Sequence, residues 1–379
     1  MRKVFFGARL FDGAAMIDDA ALAVEDGAIL ALTSFAERPR DAESHDLGGG
    51  ILSPGLIDWQ VNGGGGVLFN AEPTVEAIAA IVAAHRTDGT TSLLPTLITD
   101  APQKLEAALA AAAEAQKSVP GALGIHVEGP FIDLRRKGAH PIAFIRAMTR
   151  QDADQLIAAK AGIMVVTLAP AAVSSDLIAL LARSGIIVSI GHSEATAEEA
   201  RGAFKAGASA VTHLYNAMSQ LGHRQPGLVG AALADPAILC GFIADGHHVH
   251  EAAARTAFNA KGPDGMALIS DAMPPAAGGP KTFYLEGGRV TQVGTKLTLD
   301  DGTLAGAAIT LMDAVRYATG TLGIVLADAL KLATLTPARL LRIDDRLGRL
   351  KPGYRADLVH IGDDLSVRGT WVGGEGSAS

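Results

Sequence analysis

Two histidines and one glutamate stand where strand-like runs give way to loops, and these residue types bind divalent cations. In Ala208-Ser209-Ala210-Val211-Thr212-His213 a small and β-branched run suits a buried strand, with His213 at its exit. Ile186-Ile187-Val188-Ser189-Ile190-Gly191-His192 repeats the layout. Gly124-Ile125-His126-Val127-Glu128 does so with a carboxylate, and the strand period puts His126 and Glu128 on one face with Glu128 nearer the exit. Three strand exits carrying Glu128, His192 and His213 match a catalytic zinc site, which takes three protein ligands and keeps a position open for water. A further strand ends in Ile269-Ser270-Asp271, and a carboxylate beside such a site suits a general base that takes a proton from water and returns it to the leaving group. Singly, each has a plainer reading. A lone strand-end histidine is more often a satisfied core residue, Glu128 before Gly129-Pro130 can cap a turn, and Asp271 can cap a helix. Together they read as one centre.

Such residues converge only if the chain brings several strand ends to one place. Strand-like runs fall near Gly55 to Asp58, Ser92 to Leu97, Gly124 to Glu128, Ile163 to Leu168, Ile186 to Ile190, Ser209 to His213, Leu239 to Ala244 and Ala267 to Ser270. Helical patterns alternate with them, including Thr74 to Arg86, Gln103 to Gln116, Ala172 to Ala182 and Thr196 to Lys205, and Ala308 to Ala318 follows the last strand. This is the count of an α/β fold of the (β/α)8 barrel type, a TIM-like barrel. An open doubly wound sheet shares the periodicity, but a barrel better explains polar residues at the C-terminal ends of so many different strands. Short strands and turns in residues 1–50 return after Gly348-Arg349-Leu350-Lys351-Pro352-Gly353. We therefore expect a small β-sandwich domain from 1–50 and 345–379, and a catalytic barrel over 51–344.

The 379 residues suit one barrel and an appendage, and a hydrophobic fraction of 49% excludes general disorder. A net charge of −8 with no Lys/Arg block argues against nucleic acid or an anionic membrane, so an anionic substrate needs a local basic pocket. The single cysteine, Cys240, cannot form an internal disulfide and reads as a small buried hydrophobe, which favours a cytoplasmic location. No apolar run reaches the roughly 18 residues of a membrane span, and no export signal is visible.

Ser53-Pro54-Gly55-Leu56-Ile57-Asp58, the strand-end ligands, Asp271 and Pro352-Gly353-Tyr354-Arg355-Ala356-Asp357-Leu358 resemble the amidohydrolase superfamily. Within it, five blocks resemble the N-acetylglucosamine-6-phosphate deacetylase family: His126-Val127-Glu128-Gly129-Pro130-Phe131, Lys137-Gly138-Ala139-His140, Gly191-His192-Ser193, Thr212-His213-Leu214-Tyr215-Asn216-Ala217-Met218 and Asp245-Gly246-His247-His248-Val249. They stand in the family's order along nearly the whole chain. The resemblance implies that Glu128, His192 and His213 hold a metal and that Asp271 is the catalytic acid and base. It implies that His140 meets the sugar near the scissile acetamide, and that Asn216, Ala217 and His248 hold the sugar phosphate. Arg224 would be donated across a homodimer interface, although its own surroundings read equally as a solvated loop. Gln60 and Asn62 stand where many amidohydrolases carry a His-x-His pair, and amide oxygens are poor substitutes for imidazole at zinc. The family therefore implies one divalent metal per subunit, Zn2+ or alternatively Fe2+, and hydrolysis of N-acetyl-D-glucosamine 6-phosphate in amino-sugar metabolism. The galactosamine epimer, a cyclic amide and a non-catalytic scaffold are the competing readings.

Overall fold

Eight short apolar runs become the eight parallel strands of one sheet. In the computed structural model, which describes residues 2–285 and 288–378, they are β1 Leu56–Val61, β2 Thr90–Ile98, β3 Gly124–Glu128, β4 Ile163–Leu168, β5 Ile187–Ile190, β6 Ala210–Val211, β7 Leu239–Ile243 and β8 Met266–Ile269. Each pairs with its neighbours in sequence order. Beyond the last strand the backbone joins the first, since Asp271 N–H donates to Gln60 O at 3.1 Å and Asn62 N–H to Ala272 O at 2.9 Å. The sheet thus closes into the expected (β/α)8 barrel.

The strands are buried on both faces because the sheet is covered outside by helices and filled inside by side chains. The outer layer includes α1 Val75–Arg86, α2 Pro102–Ser118, α3 Arg150–Ala158, α4 Ser175–Arg183, α5 Ala197–Ala206, α6 Gly227–Ala234, α7 Glu251–Gly265 and α8 Leu311–Gly320, followed by Leu326–Ala333 and Leu335–Leu340. Local chemistry sets several starts: Thr149 with Asp152, Thr196 with Glu199 and Thr310 with Asp313 each form a capping box. Inside, Trp59 is fully buried against Gly241, where a Cβ would stand 2.5 Å from the indole, so only glycine admits the ring.

Both chain ends build sheet away from the barrel. Ala28–Ser34, Ala20–Glu25, Arg2–Phe6 and Glu43–Asp46 form one sheet; Ile51–Pro54 joins Leu358–Ile361 and Arg9–Phe11 in another. Phe5, Leu22, Leu52, Leu358 and Trp371 share one apolar cluster. A further four-stranded antiparallel sheet, Thr282–Leu285, Gly288–Val293, Lys296–Leu299 and Leu304–Ala307, sits between β8 and α8. The sequence reading passed from β8 to the next helix without it, because its strands are short and half-exposed.

Asp58, on β1, is fully buried and accepts from Gln60 N–H at 3.2 Å and from Ser270 N–H at 3.2 Å, tying β1 to β8. Burial pushes its carboxyl up to about 7, against those hydrogen bonds. A value raised on folding means stability that is full below about pH 4, falls as pH rises, and levels above about pH 7. Melting Asp58→Asn beside the parent from pH 4 to 8 should show the variant gaining on the order of 2–4 kcal/mol on the parent up to about pH 7, and nothing further above it. A gap constant across that range would mean that burial does not control this carboxyl.

Candidate metal centre and its pocket

β3 delivers Glu128 as its last residue, while His192, His213 and Asp271 each lie two residues past the ends of β5, β6 and β8. All four are buried. His192 (φ 45°), His213 (φ 34°) and Asp271 (φ 48°) occupy the left-handed region that non-glycine residues avoid. Three such residues at one barrel mouth are strained backbone concentrated where side chains must be aimed.

The aim is tight. His213 Nε2 lies 3.0 Å and His192 Nε2 3.2 Å from Glu128 Oε1, and the two Nε2 atoms are 3.1 Å apart. His192 Nδ1 donates to the Arg136 carbonyl at 2.8 Å, which turns Nε2 toward the other two as a lone pair. Two imidazole nitrogens and a carboxylate oxygen facing one another hold more lone pairs than protons can reconcile. One cation would satisfy all three, so the residues fit a divalent metal. Glu128, His140 and His192 also bring ligand atoms within 4.8 Å of one another. His140, however, uses Nδ1 on the Thr99 hydroxyl at 2.8 Å, whereas His213 offers its Nε2 directly to the other two.

Electrostatics follow from the same crowding. Burial pushes Glu128 upward, but the facing His192 and His213 outweigh it and hold the carboxyl well below the usual range. His213 is raised: burial opposes its charge, and the bond to Glu128 more than offsets that. His140 is driven well below the ordinary histidine range by burial and then by His192, so it is a neutral ring. Burial, followed by the charge on Glu128, pushes Asp271 up to about 6.

Asp271 Oδ1 accepts from Asn62 Nδ2 at 2.7 Å and Gln60 Nε2 at 3.1 Å, and Gln60 Nε2 also reaches Glu128 Oε2 at 3.3 Å. Below the centre a belt of buried hydroxyls crosses the barrel interior. His126 Nδ1 meets Thr96 Oγ1 at 3.2 Å and its Nε2 meets Thr167 Oγ1 at 2.7 Å, while Thr212 Oγ1 bonds Thr167 and Ser189, both at 2.6 Å.

A cavity of about 370 Å³ opens over the centre and is lined by Asn62, Glu128, His140, His192, His213, Asn216, Ala217, His248 and Asp271. That size suits a small ligand. His248 Nδ1 bonds Asp245 Oδ2 at 2.7 Å, and Asp245 also accepts from the backbone N–H of His247 and His248. Gln60 stands behind Asp271, and Arg224 lies exposed on the loop before α6, outside the cavity lining. The sequence reading missed Arg135, Arg136, Thr303 and Leu304, which also line the wall, together with apolar Ile98, Ile243 and Met273. The arginines adjoin the Lys137-Gly138-Ala139-His140 block and could have been found there. Thr303 and Leu304 come from the unforeseen sheet. Both arginines are already paired, Arg135 with Asp133 at 2.6 Å and Arg136 with Glu194.

Residues 51–376 match the amidohydrolase family. A protein of Shewanella sp. (strain ANA-3) named N-acetylgalactosamine-6-phosphate deacetylase is 41% identical over 97% of this chain and 94% of its own length. One of Haemophilus influenzae named N-acetylglucosamine-6-phosphate deacetylase is 35% identical over 95% of each. The crystal structure of N-acetylglucosamine-6-phosphate deacetylase from Pasteurella multocida superposes with a TM-score of 0.97 at 34% identity, covering both chains completely. An aspartate-to-alanine variant of the Mycobacterium smegmatis deacetylase, in complex with N-acetyl-D-glucosamine-6-phosphate, superposes at 0.91 with 30% identity over 100% of this chain and 99% of that one. The chain belongs to the amidohydrolase family, alongside the amino-sugar-phosphate deacetylases it resembles over nearly its whole length.

Proposed function

We propose that the chain hydrolyses the acetamide of N-acetyl-D-glucosamine 6-phosphate, releasing acetate and D-glucosamine 6-phosphate. The observation that carries this reading is the meeting of Glu128, His192 and His213 at 3.0 to 3.2 Å in one cavity with Asp271. Glu128, His192 and His213 would hold one divalent cation, Zn2+ in preference to Fe2+. When bound, it supplies positive charge that makes water more acidic and an amide carbonyl more electrophilic. Asp271, raised to about 6, accepts a proton from the attacking water and later gives it to the departing amine nitrogen. His140, with Nδ1 engaged by Thr99, presents Nε2–H to the carbonyl oxygen as charge develops there. Asn216, the Ala217 backbone and His248 take the sugar phosphate, and the dyad with Asp245 holds the His248 ring with Nε2 free for it.

The phosphate needs a further cation, since Arg135 and Arg136 are committed to carboxylates of their own chain. Arg224, exposed and outside the cavity, suits donation to the site of a second copy in a homodimer. A second reading concerns the sugar. Relatives 41% and 38% identical are named for the galactosamine epimer, so a side-by-side rate comparison of the two epimers belongs with the first assay.

Purified protein should release acetate from N-acetylglucosamine 6-phosphate; a chelator should abolish release and added Zn2+ restore it. Release indifferent to chelation removes the metal from the reading. Asp271→Asn should keep its metal while kcat falls by on the order of 10²–10⁴-fold, because acid and base are lost together. Near-parental turnover in that variant excludes Asp271 as the proton carrier. Arg224→Ala should raise KM by about 10- to 100-fold with little change in kcat, and an unchanged KM would return Arg224 to the solvated loop.

A further inference from the structure

Gln60 and Asn62 lie at the exit of β1 against Asp271, and nothing in the proposed chemistry has given them work. Both are fully buried or nearly so, at 0% and 1% exposure. The strand period sends their side chains to the same face of β1, and their backbones are fixed by the bonds that close the barrel, Asp271 N to Gln60 O and Asn62 N to Ala272 O. Their amide nitrogens converge on one atom, Asp271 Oδ1, at 3.1 and 2.7 Å. No bond from a described residue reaches Asp271 Oδ2.

The orientation of each amide follows from its neighbours. Turned over, Gln60 would set its oxygen against carboxylates of both Asp271 and Glu128, and Asn62 would set its own against Asp271. The amides instead face the carboxylates with hydrogens, although this leaves Gln60 Oε1 and Asn62 Oδ1 buried without a donor. A carboxylate can swing about its Cβ–Cγ bond and offer either oxygen. Two fixed N–H groups on one oxygen remove that freedom.

We propose that Gln60 and Asn62 are positioning residues: their side-chain N–H groups clamp Asp271 Oδ1 and fix Oδ2 as the atom that takes up and returns the proton. Neutral amides suit this task because they donate without competing for the proton being moved. The inference rests on the reading of Asp271 as proton carrier.

Asn62→Leu keeps the side-chain size and removes the donor. Its kcat should fall about 10- to 100-fold, the range of one lost charge-assisted hydrogen bond, with KM and metal content unchanged. Asn62→Ser, which keeps a donor, should recover part of the loss. The deciding measurement is the double variant Asp271→Asn/Asn62→Leu, followed at high enzyme concentration. If the amide acts through Asp271, adding Asn62→Leu to Asp271→Asn costs nothing further. A second, multiplicative loss overturns the clamp while leaving Asp271 in place. Parental turnover in Asp271→Asn alone sinks the underlying reading instead. Two equivalents of tightly held metal in the parent protein would put a cation where the amide hydrogens stand, and would also overturn the clamp.

Discussion

A buried carboxylate that stays ionised is the constraint on which the rest of this structure depends. Glu128 is 2% exposed, and an isolated charge at that depth would cost more than the fold can supply. It is tolerated because His192, His213 and Gln60 all face it. Each of those partners comes from a different strand. A barrel is the arrangement that brings three other strands to one carboxylate, and their contacts with it tie those strands together. The hydroxyl belt through Thr96, His126, Thr167, Thr212 and Ser189 does the same work one layer deeper, holding five strands by side-chain bonds inside an otherwise apolar barrel.

Barrel closure and the setting of Asp271 are one structure. The bonds that join β1 to the end of β8 pass through Gln60, Asn62, Asp271 and Ala272. On its other side, the Asp271 carbonyl accepts from Ala307 N–H at 3.0 Å, at the last strand of the inserted sheet. Beside that contact Gly306, at φ +63°, leaves no room for a side chain, because a Cβ would lie 2.8 Å from the Asp271 carbonyl oxygen. Asp271 keeps its left-handed backbone because both neighbours hold it there. The sheet that supplies Thr303 and Leu304 to the cavity wall therefore also braces the carboxylate beneath it.

The legible part of the fold was the part governed by short-range periodicity. All eight barrel strands declared themselves as apolar runs, and Glu128, His192 and His213 stood out as polar residues where those runs end. The inserted sheet did not. Its exposed face, with Tyr284 at 71% and Val293 at 74%, breaks the contrast between apolar and polar positions that marks a strand. α7 was obscured for another reason: Gly262 and Pro263 interrupt it, with Gly262 outside helical angles. At the site, composition announced an anionic chain needing a basic pocket. It did not reveal that Arg135 and Arg136 would spend their charge on Asp133 and Glu194, because pairing across a loop has no signature in spacing.

That pairing bears on how an acidic protein accepts an acidic ligand. With a net charge of −8, long-range attraction does not draw a sugar phosphate in, so the recognition must be short-ranged. The cavity meets this by keeping its anions buried and occupied: Glu128 faces two histidines, Asp271 faces two amides, and Asp245 faces His248 and two backbone N–H groups. Each carboxylate thus has part of its charge offset by a neighbouring group before any ligand arrives. The same contacts that make buried carboxylates tolerable inside the barrel also lessen their repulsion of an anionic ligand such as the proposed sugar phosphate.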